Sequence, residues 1–111
     1  MAIKSNIVID QGADFSITVT AADADGDTMD LSGYTGRSWM KKSPSSSNYW
    51  VFSVTINESA GEVVVSMTSD DTTDLVPGRY LYDVEIISPA NKVTRLVEGI
   101  VTVTPEITRP V

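Results

Sequence analysis

The chain has 111 residues, the size of one ordinary domain, and contains neither cysteine nor histidine. This composition excludes thiol nucleophiles, disulfide bonds, Cys/His zinc sites and imidazole acid–base catalysis. The formal net charge of −7 disfavours binding to nucleic acid or to an anionic membrane surface. We therefore predict a single domain over residues 1–111 that binds neither nucleic acid nor membrane and uses no cofactor.

The amino-terminal residues, MAIKSNIVIDQG, contain one lysine and no apolar run of signal-peptide length. No segment approaches the roughly 20 apolar residues that are needed to span a bilayer. We expect the protein to be made in the cytoplasm and not to be exported by a visible signal.

Alternation of apolar and polar residues dominates the chain, and this period of two is typical of strands with one face on a core and one in water. Valine, isoleucine, threonine and tyrosine are abundant and suit such strands. Turn residues such as Asp25-Gly26 separate the alternating runs. The number and spacing of the runs predict an all-β domain built as a β-sandwich. The predicted strands lie near 3–10, 14–21, 35–42, 50–57, 61–68, 79–88 and 92–104.

Residues 69–75, SDDTTDL, are the one stretch that looks helical. We expect Ser69 to cap a short helical turn, with Asp70 and Asp71 facing the positive end of its dipole. In the last strand Gly99 interrupts the alternation, which predicts either a bulge there or burial on both faces. The segment 43–48, SPSSSN, is predicted to be an exposed hairpin loop.

The segment DADGD is the best metal candidate, because Asp23, Asp25 and Asp27 have the one-three-five spacing of a calcium loop. The sixth position of that motif is Thr28 where glycine is required, and the twelfth is Tyr34 where glutamate is required. An acidic hairpin turn with its glycine at a positive φ explains the same residues. We predict weak calcium binding or none, and assign no metal ligand.

The segment LVPGRYLYDVEI places two carboxylates, Asp83 and Glu85, on one face of a strand. They could form an acid–base pair, but ion pairing on a solvated face is the favoured interpretation. Arg79 has the same parity and Arg95 lies on the next strand. There is no Ser-His-Asp set, phosphate loop or HExxH motif, so we predict no catalytic residues and a protein that is not an enzyme.

The opposite face of that strand carries Tyr80, Tyr82, Val84 and Ile86. We predict that Val84 and at least one of the two tyrosines lie in the core. Residues 75–80 resemble the tyrosine corner of immunoglobulin-like sandwiches, in which a tyrosine hydroxyl bonds to the backbone a few residues upstream. Either Tyr80 or Tyr82 could fill that role.

Aromatic residues also cluster before and after the 43–48 loop. We predict that Trp39 is buried, since sandwiches often bury a tryptophan on an early strand. Tyr49 and Trp50 are candidate partner-contact residues, with burial in the core as the open alternative.

The order of several segments resembles a family of small virion structural proteins of tailed bacteriophages. These segments are QG followed by an alternating strand, DLSGYT, an acidic-and-threonine turn, PGRYLYDVE, RLVEG and TPEITR. The resemblance extends from about Gln11 to Arg109, and related domains occur in tail and baseplate proteins. It implies an immunoglobulin-like β-sandwich of about seven antiparallel strands with one short helical turn. The motif positions are then fold determinants and not catalytic residues: Gly33, Tyr34, Pro77, Gly78, Tyr80, Asp83, Gly99 and Arg109.

The resemblance further implies a non-enzymatic role in particle assembly, with tail or baseplate favoured over head or neck. The expected partners are other virion proteins, with self-association also open, and the protein would assemble in the host cytoplasm into the virion. Strand-like segments at 3–10 and 99–107 are expected to provide edges for neighbours. The main rival is a glycan- or receptor-binding module that uses the aromatic residues of 34–50.

Overall fold

The computed structural model of the chain describes residues 3–22 and 26–107, and these residues form eight β-strands and one short helix. The predicted all-β class is confirmed, and six of the seven predicted strands are present within a few residues of their expected bounds. The prediction of one strand over 3–10 is corrected, because the strand is interrupted at Ser5 and Asn6 while its register on β8 stays the same. The elements are β1 (Ile3–Lys4), β2 (Ile7–Asp10), β3 (Phe15–Thr20), β4 (Thr35–Lys41), β5 (Trp50–Asn57), β6 (Glu62–Met67), α1 (Ser69–Thr72), β7 (Gly78–Ile87) and β8 (Val93–Thr104).

The strands form one curled sheet in the order β1-β8-β7-β4-β5-β6-β3, and β2 also pairs with β8. All neighbours are antiparallel except β1 and β2, which run parallel to β8. The predicted fully antiparallel arrangement is therefore wrong for the first strands. β5 pairs with β4 through residues 50–52 and with β6 through residues 53–57. This change of partner lets the sheet curl around a single core.

Alternate residues of β7 form the centre of that core. Tyr80, Tyr82, Val84 and Ile86 are each at most 4% exposed. The predicted burial of Val84 and of at least one tyrosine is confirmed, and both tyrosines are buried. The ring of Trp50 packs edge-on against Tyr80, with ring centroids 5.1 Å apart. Such contacts add to the area buried by each aromatic side chain.

The tyrosine corner is formed by Tyr80, whose hydroxyl donates a hydrogen bond of 2.6 Å to the carbonyl oxygen of Val76. The hydroxyl of Tyr82 donates instead to the carbonyl oxygen of Ser5, also at 2.6 Å. Burial raises the pKa of both phenols, and each hydrogen bond opposes that rise. The two tyrosines thus anchor different segments: the turn before β7 and the junction between β1 and β2.

Helix α1 begins after Thr68, so the prediction that Ser69 caps it is wrong. The Thr68 side chain makes no capping bond, and the main-chain N–H of Ser69 donates to Asp14 Oδ1 at 2.7 Å. A carboxylate from the loop before β3 therefore supplies the capping acceptor. Asp70 and Asp71 lie in the first turn as predicted.

The irregularity in β8 lies at Leu96 and not at Gly99. Val84 pairs with Val97 and Glu85 with Arg95, so Leu96 is the extra residue of a bulge. Leu96 and Val97 are consecutive and both buried. Gly99 has a different role, because a β-carbon there would overlap the main-chain oxygen of Ser5. The glycine permits the backbone at the junction of β1 and β2 to approach β8 closely.

The DADGD hairpin is described only in part, since Asp23 and Asp25 lie outside the described residues. Gly26 has the expected positive φ of 86°, and Ala22 and Thr28 form an antiparallel bridge across the turn. The weak-calcium expectation stays a prediction. In the described residues, no helix has the length and apolar character that crossing a membrane would require.

Candidate functional site

A groove of about 970 Å³ crosses the outer face of β8, β7 and β4, on the side away from the core. It exists because odd-numbered residues of β4 and β7 point outward while their even-numbered neighbours are buried. The junction between β1 and β2 contributes Asn6 to its lining, and the loop after β4 contributes Pro44. The lining residues of this outer-face groove are Lys4, Asn6, Arg37, Ser38, Trp39, Lys41, Pro44, Leu81, Tyr82, Asp83, Glu85, Arg95, Glu98, Gly99 and Ile100.

Trp39 lies on this face and is 42% exposed, so the prediction that it is a core residue is wrong. Its neighbours Ser38 and Met40 occupy the inward positions of β4 and are almost completely buried. The strand's alternation therefore directs Trp39 outward. Alternation alone did not distinguish Trp39 from Met40 as the buried residue, since both parities of β4 carry a large apolar side chain.

Tyr49 stacks on Trp39, with ring centroids 3.8 Å apart and an interplanar angle of 11°. Tyr49 is itself 47% exposed, and its candidate role in partner contact stays a prediction. Trp50 has the opposite orientation and packs against the core as a half-buried residue. The two sequence candidates are thus separated onto opposite faces, and Tyr49 joins Trp39 in an exposed aromatic stack.

Charged side chains occupy the rest of the groove, in a cluster formed by Arg37, Asp83, Glu85, Arg95 and Glu98. Arg37 Nε lies 2.7 Å from Glu85 Oε1, and Arg95 Nε lies 3.4 Å from Asp83 Oδ2. Arg95 also reaches Glu98, with Nη1 and Oε2 3.5 Å apart. The predicted ion pairing of both carboxylates is confirmed.

The arginine partners differ in part from those expected. Arg79 pairs in register with Thr102 and forms no ion pair within residues 3–22 and 26–107. Arg37 was missed, because only the register of β4 on β7 places it opposite Glu85. Residue spacing within one strand carries no information on that register.

The pKa of Asp83 is raised, mainly because burial disfavours its ionised form and secondly because Glu85 repels it. Arg95 acts in the opposite direction. Asp83 and Glu85 are each held by a different guanidinium group. The arrangement is a row of ion-paired carboxylate and guanidinium groups, which can accept hydrogen bonds from a bound molecule or donate them to it.

Aliphatic side chains complete the face beside the aromatic stack. Val51, Leu81 and Ile100 are 56%, 39% and 36% exposed. Val51 pairs in register with Trp39, and Leu81 pairs with Ile100. A half-apolar surface with aromatic rings and paired charges suits contact with a protein or with a sugar ring. Over the described part of the chain, no group of three or more acidic side chains is arranged to hold a metal ion.

No protein-family model matches the sequence, and no curated protein matches it. Among solved structures, the chain is similar to the Listeria monocytogenes internalin-like protein lmo2027, with 18% sequence identity and a TM-score of 0.50. The match covers 93% of this chain and 28% of that longer one. At this identity the likeness concerns the fold alone.

Proposed function

We propose that the protein is a non-enzymatic structural component of a tailed-bacteriophage virion, placed in the tail or baseplate. The observation that carries this proposal is the ordered set of segments DLSGYT, PGRYLYDVE, RLVEG and TPEITR. In the structure, residues of these segments hold the fold together. Tyr80 closes the corner before β7, and Gly99 allows the Ser5 backbone to approach β8 closely. Such roles suit a scaffold domain.

Within this proposal the fold is an immunoglobulin-like β-sandwich whose two layers share β5. The change of partner along β5 supports this arrangement, with β8, β7 and β4 on one side and β6 and β3 on the other. The Tyr80 corner supports it too, because this contact is a hallmark of such sandwiches.

Mass spectrometry of purified particles tests the virion role. Phage would be banded twice in a density gradient, and peptides of this chain would be quantified against a known capsid protein in every fraction. We expect a constant ratio of the two proteins across the particle band. Detection in the infected-cell lysate without detection in the particles would overturn the proposal.

Glycan binding is the second candidate, and the exposed Trp39–Tyr49 stack favours it. One ring face beside charged hydrogen-bonding groups is a common way to hold a pyranose ring. A glycan array with the parent, Trp39→Ala and Val8→Ala would test this function. Val8 is the control, because it is an exposed strand residue that does not line the groove. Binding that survives Trp39→Ala, or no binding by the parent, would count against it.

A further inference from the structure

Strand β3 forms one edge of the sheet, and within the described residues it pairs only with β6. Its sequence, FSITVT, contains no charged residue, proline or glycine. Proteins usually protect edge strands with such residues, since an open edge can pair with another chain. This edge carries none of them.

One hydrogen bond shows which backbone groups of β3 face the open edge. The N–H of Ala21 donates to the carbonyl oxygen of Gly61 at 2.8 Å, which fixes where the bonded pairs of the β3–β6 ladder fall. Bonded and non-bonded pairs alternate in an antiparallel ladder. Odd-numbered residues of β3 therefore bond to β6, and the N–H and C=O groups of Ser16, Thr18 and Thr20 face the open edge.

The side chains of β3 are also incompletely covered. On the inner face its apolar residues are only half-buried, whereas their cross-strand partners on β6 are at most 4% exposed. A further strand beside β3 would cover these side chains and would satisfy the outward backbone groups. The half-buried residues are Phe15, Ile17 and Val19, and their partners are Met67, Val65 and Val63.

We propose that this edge pairs with β3 of a second copy of the chain, antiparallel about a twofold axis. The outward groups then bond in pairs that place Thr18 opposite Thr18 of the second copy and Ser16 opposite its Thr20. No charge lies in the strand, so the pairing brings no like charges together despite the net charge of −7. A twofold contact of this kind is self-complementary and closed.

This pairing is independent of the proposed virion role, and self-association in solution tests it directly. Sedimentation equilibrium of the full chain would be measured from about 10 µM to about 1 mM, a range that detects weak dimers. We expect an average mass that rises with concentration towards twice the monomer mass.

Two substitutions at Thr18 block the edge without touching the β6 ladder. Thr18→Lys places like charges opposite each other across the axis, and Thr18→Pro removes an outward-facing N–H. Thr55→Lys is the matched control, because Thr55 pairs with Val64 from the other side and is also exposed. We expect both Thr18 variants to weaken the dimer at least about tenfold. Thr55→Lys should associate like the parent, and thermal melts would verify that all variants fold.

An equimolar mixture tests the register. Thr18→Lys and Thr18→Glu should each be monomeric alone and should associate when mixed, since opposite charges then face each other across the axis. A parent that stays monomeric at about 1 mM would overturn the proposal. Three other results would also overturn it. Thr18→Lys could associate as strongly as the parent, Thr55→Lys could weaken the dimer as much as Thr18→Lys does, or the mixture of Thr18→Lys and Thr18→Glu could stay monomeric.

Discussion

Removal of the Tyr80 hydroxyl tests whether the tyrosine corner stabilises the fold apart from the burial of its ring. Tyr80→Phe keeps the ring, which is 1% exposed, and deletes the 2.6 Å hydrogen bond to Val76. It also keeps the contact with Lys42, whose Nζ lies 4.2 Å from the ring centroid. Tyr80→Ala removes all three contributions.

The expected costs follow from these contacts. The hydrogen bond to Val76 is partly buried and joins a neutral donor to a neutral acceptor. The cost of Tyr80→Phe should then be that of one net hydrogen bond, about 1 kcal/mol. Tyr80→Ala also loses the buried ring and leaves a cavity, which costs about 3–5 kcal/mol. The second value is a large part of the stability of an ordinary domain.

Urea denaturation and thermal melts of both variants would measure these costs. A loss of about 1 kcal/mol corresponds to a decrease in melting temperature of about 4 °C for a chain of this length. Tyr49→Phe is the control, because the Tyr49 hydroxyl has no hydrogen-bond partner within the described ranges and its ring is 47% exposed. If Tyr80→Phe melts with the parent, or as low as Tyr80→Ala, the assignment of separate roles to hydroxyl and ring is refuted.

Three further predictions concern the outer face and its supports. Glu85→Ala should cost no more than about 1 kcal/mol in urea, because its bond to Arg37 is a surface ion pair; a loss of several kcal/mol would contradict this. Gly99→Ala should cost about 1–3 kcal/mol, since a β-carbon would overlap the backbone of Ser5. A melting temperature equal to the parent's would show that the Ser5 backbone moves away without cost. Asp83 and Asp30 should shift the pH dependence of stability in opposite directions. The pKa of Asp83 is raised in the folded protein, so ionisation of this residue lowers the free energy of unfolding as the pH rises from 3.8. Over the same pH range, Asp83→Asn should become more stable relative to the parent. The pKa of Asp30 is lowered by the hydrogen bonds it accepts from Ser32, so protonation of Asp30 lowers the free energy of unfolding as the pH falls below 3.8. Asp30→Asn should be less stable than the parent above that pH, and the difference should disappear below it. Urea titrations at a series of pH values would show both slopes, and equal signs would contradict the assignment.

The sequence by itself determined the strands, because alternation is a local property that each run of residues carries without reference to the rest of the chain. It also determined the inward face of β7, where Tyr80, Tyr82, Val84 and Ile86 share one parity. The positive φ of Gly26 likewise follows from local turn chemistry.

Only the tertiary structure decided what lies beside each strand. The parallel pairing of β1 and β2 with β8, the capping of α1 by Asp14 and the contact of Arg37 with Glu85 all join residues far apart in sequence. Trp39 shows the same limit on one strand, because both parities of β4 carry a large apolar residue and packing alone selects Met40 for the core. Register and layer order depend on the whole set of strands packing at once, and local residue patterns do not encode that arrangement.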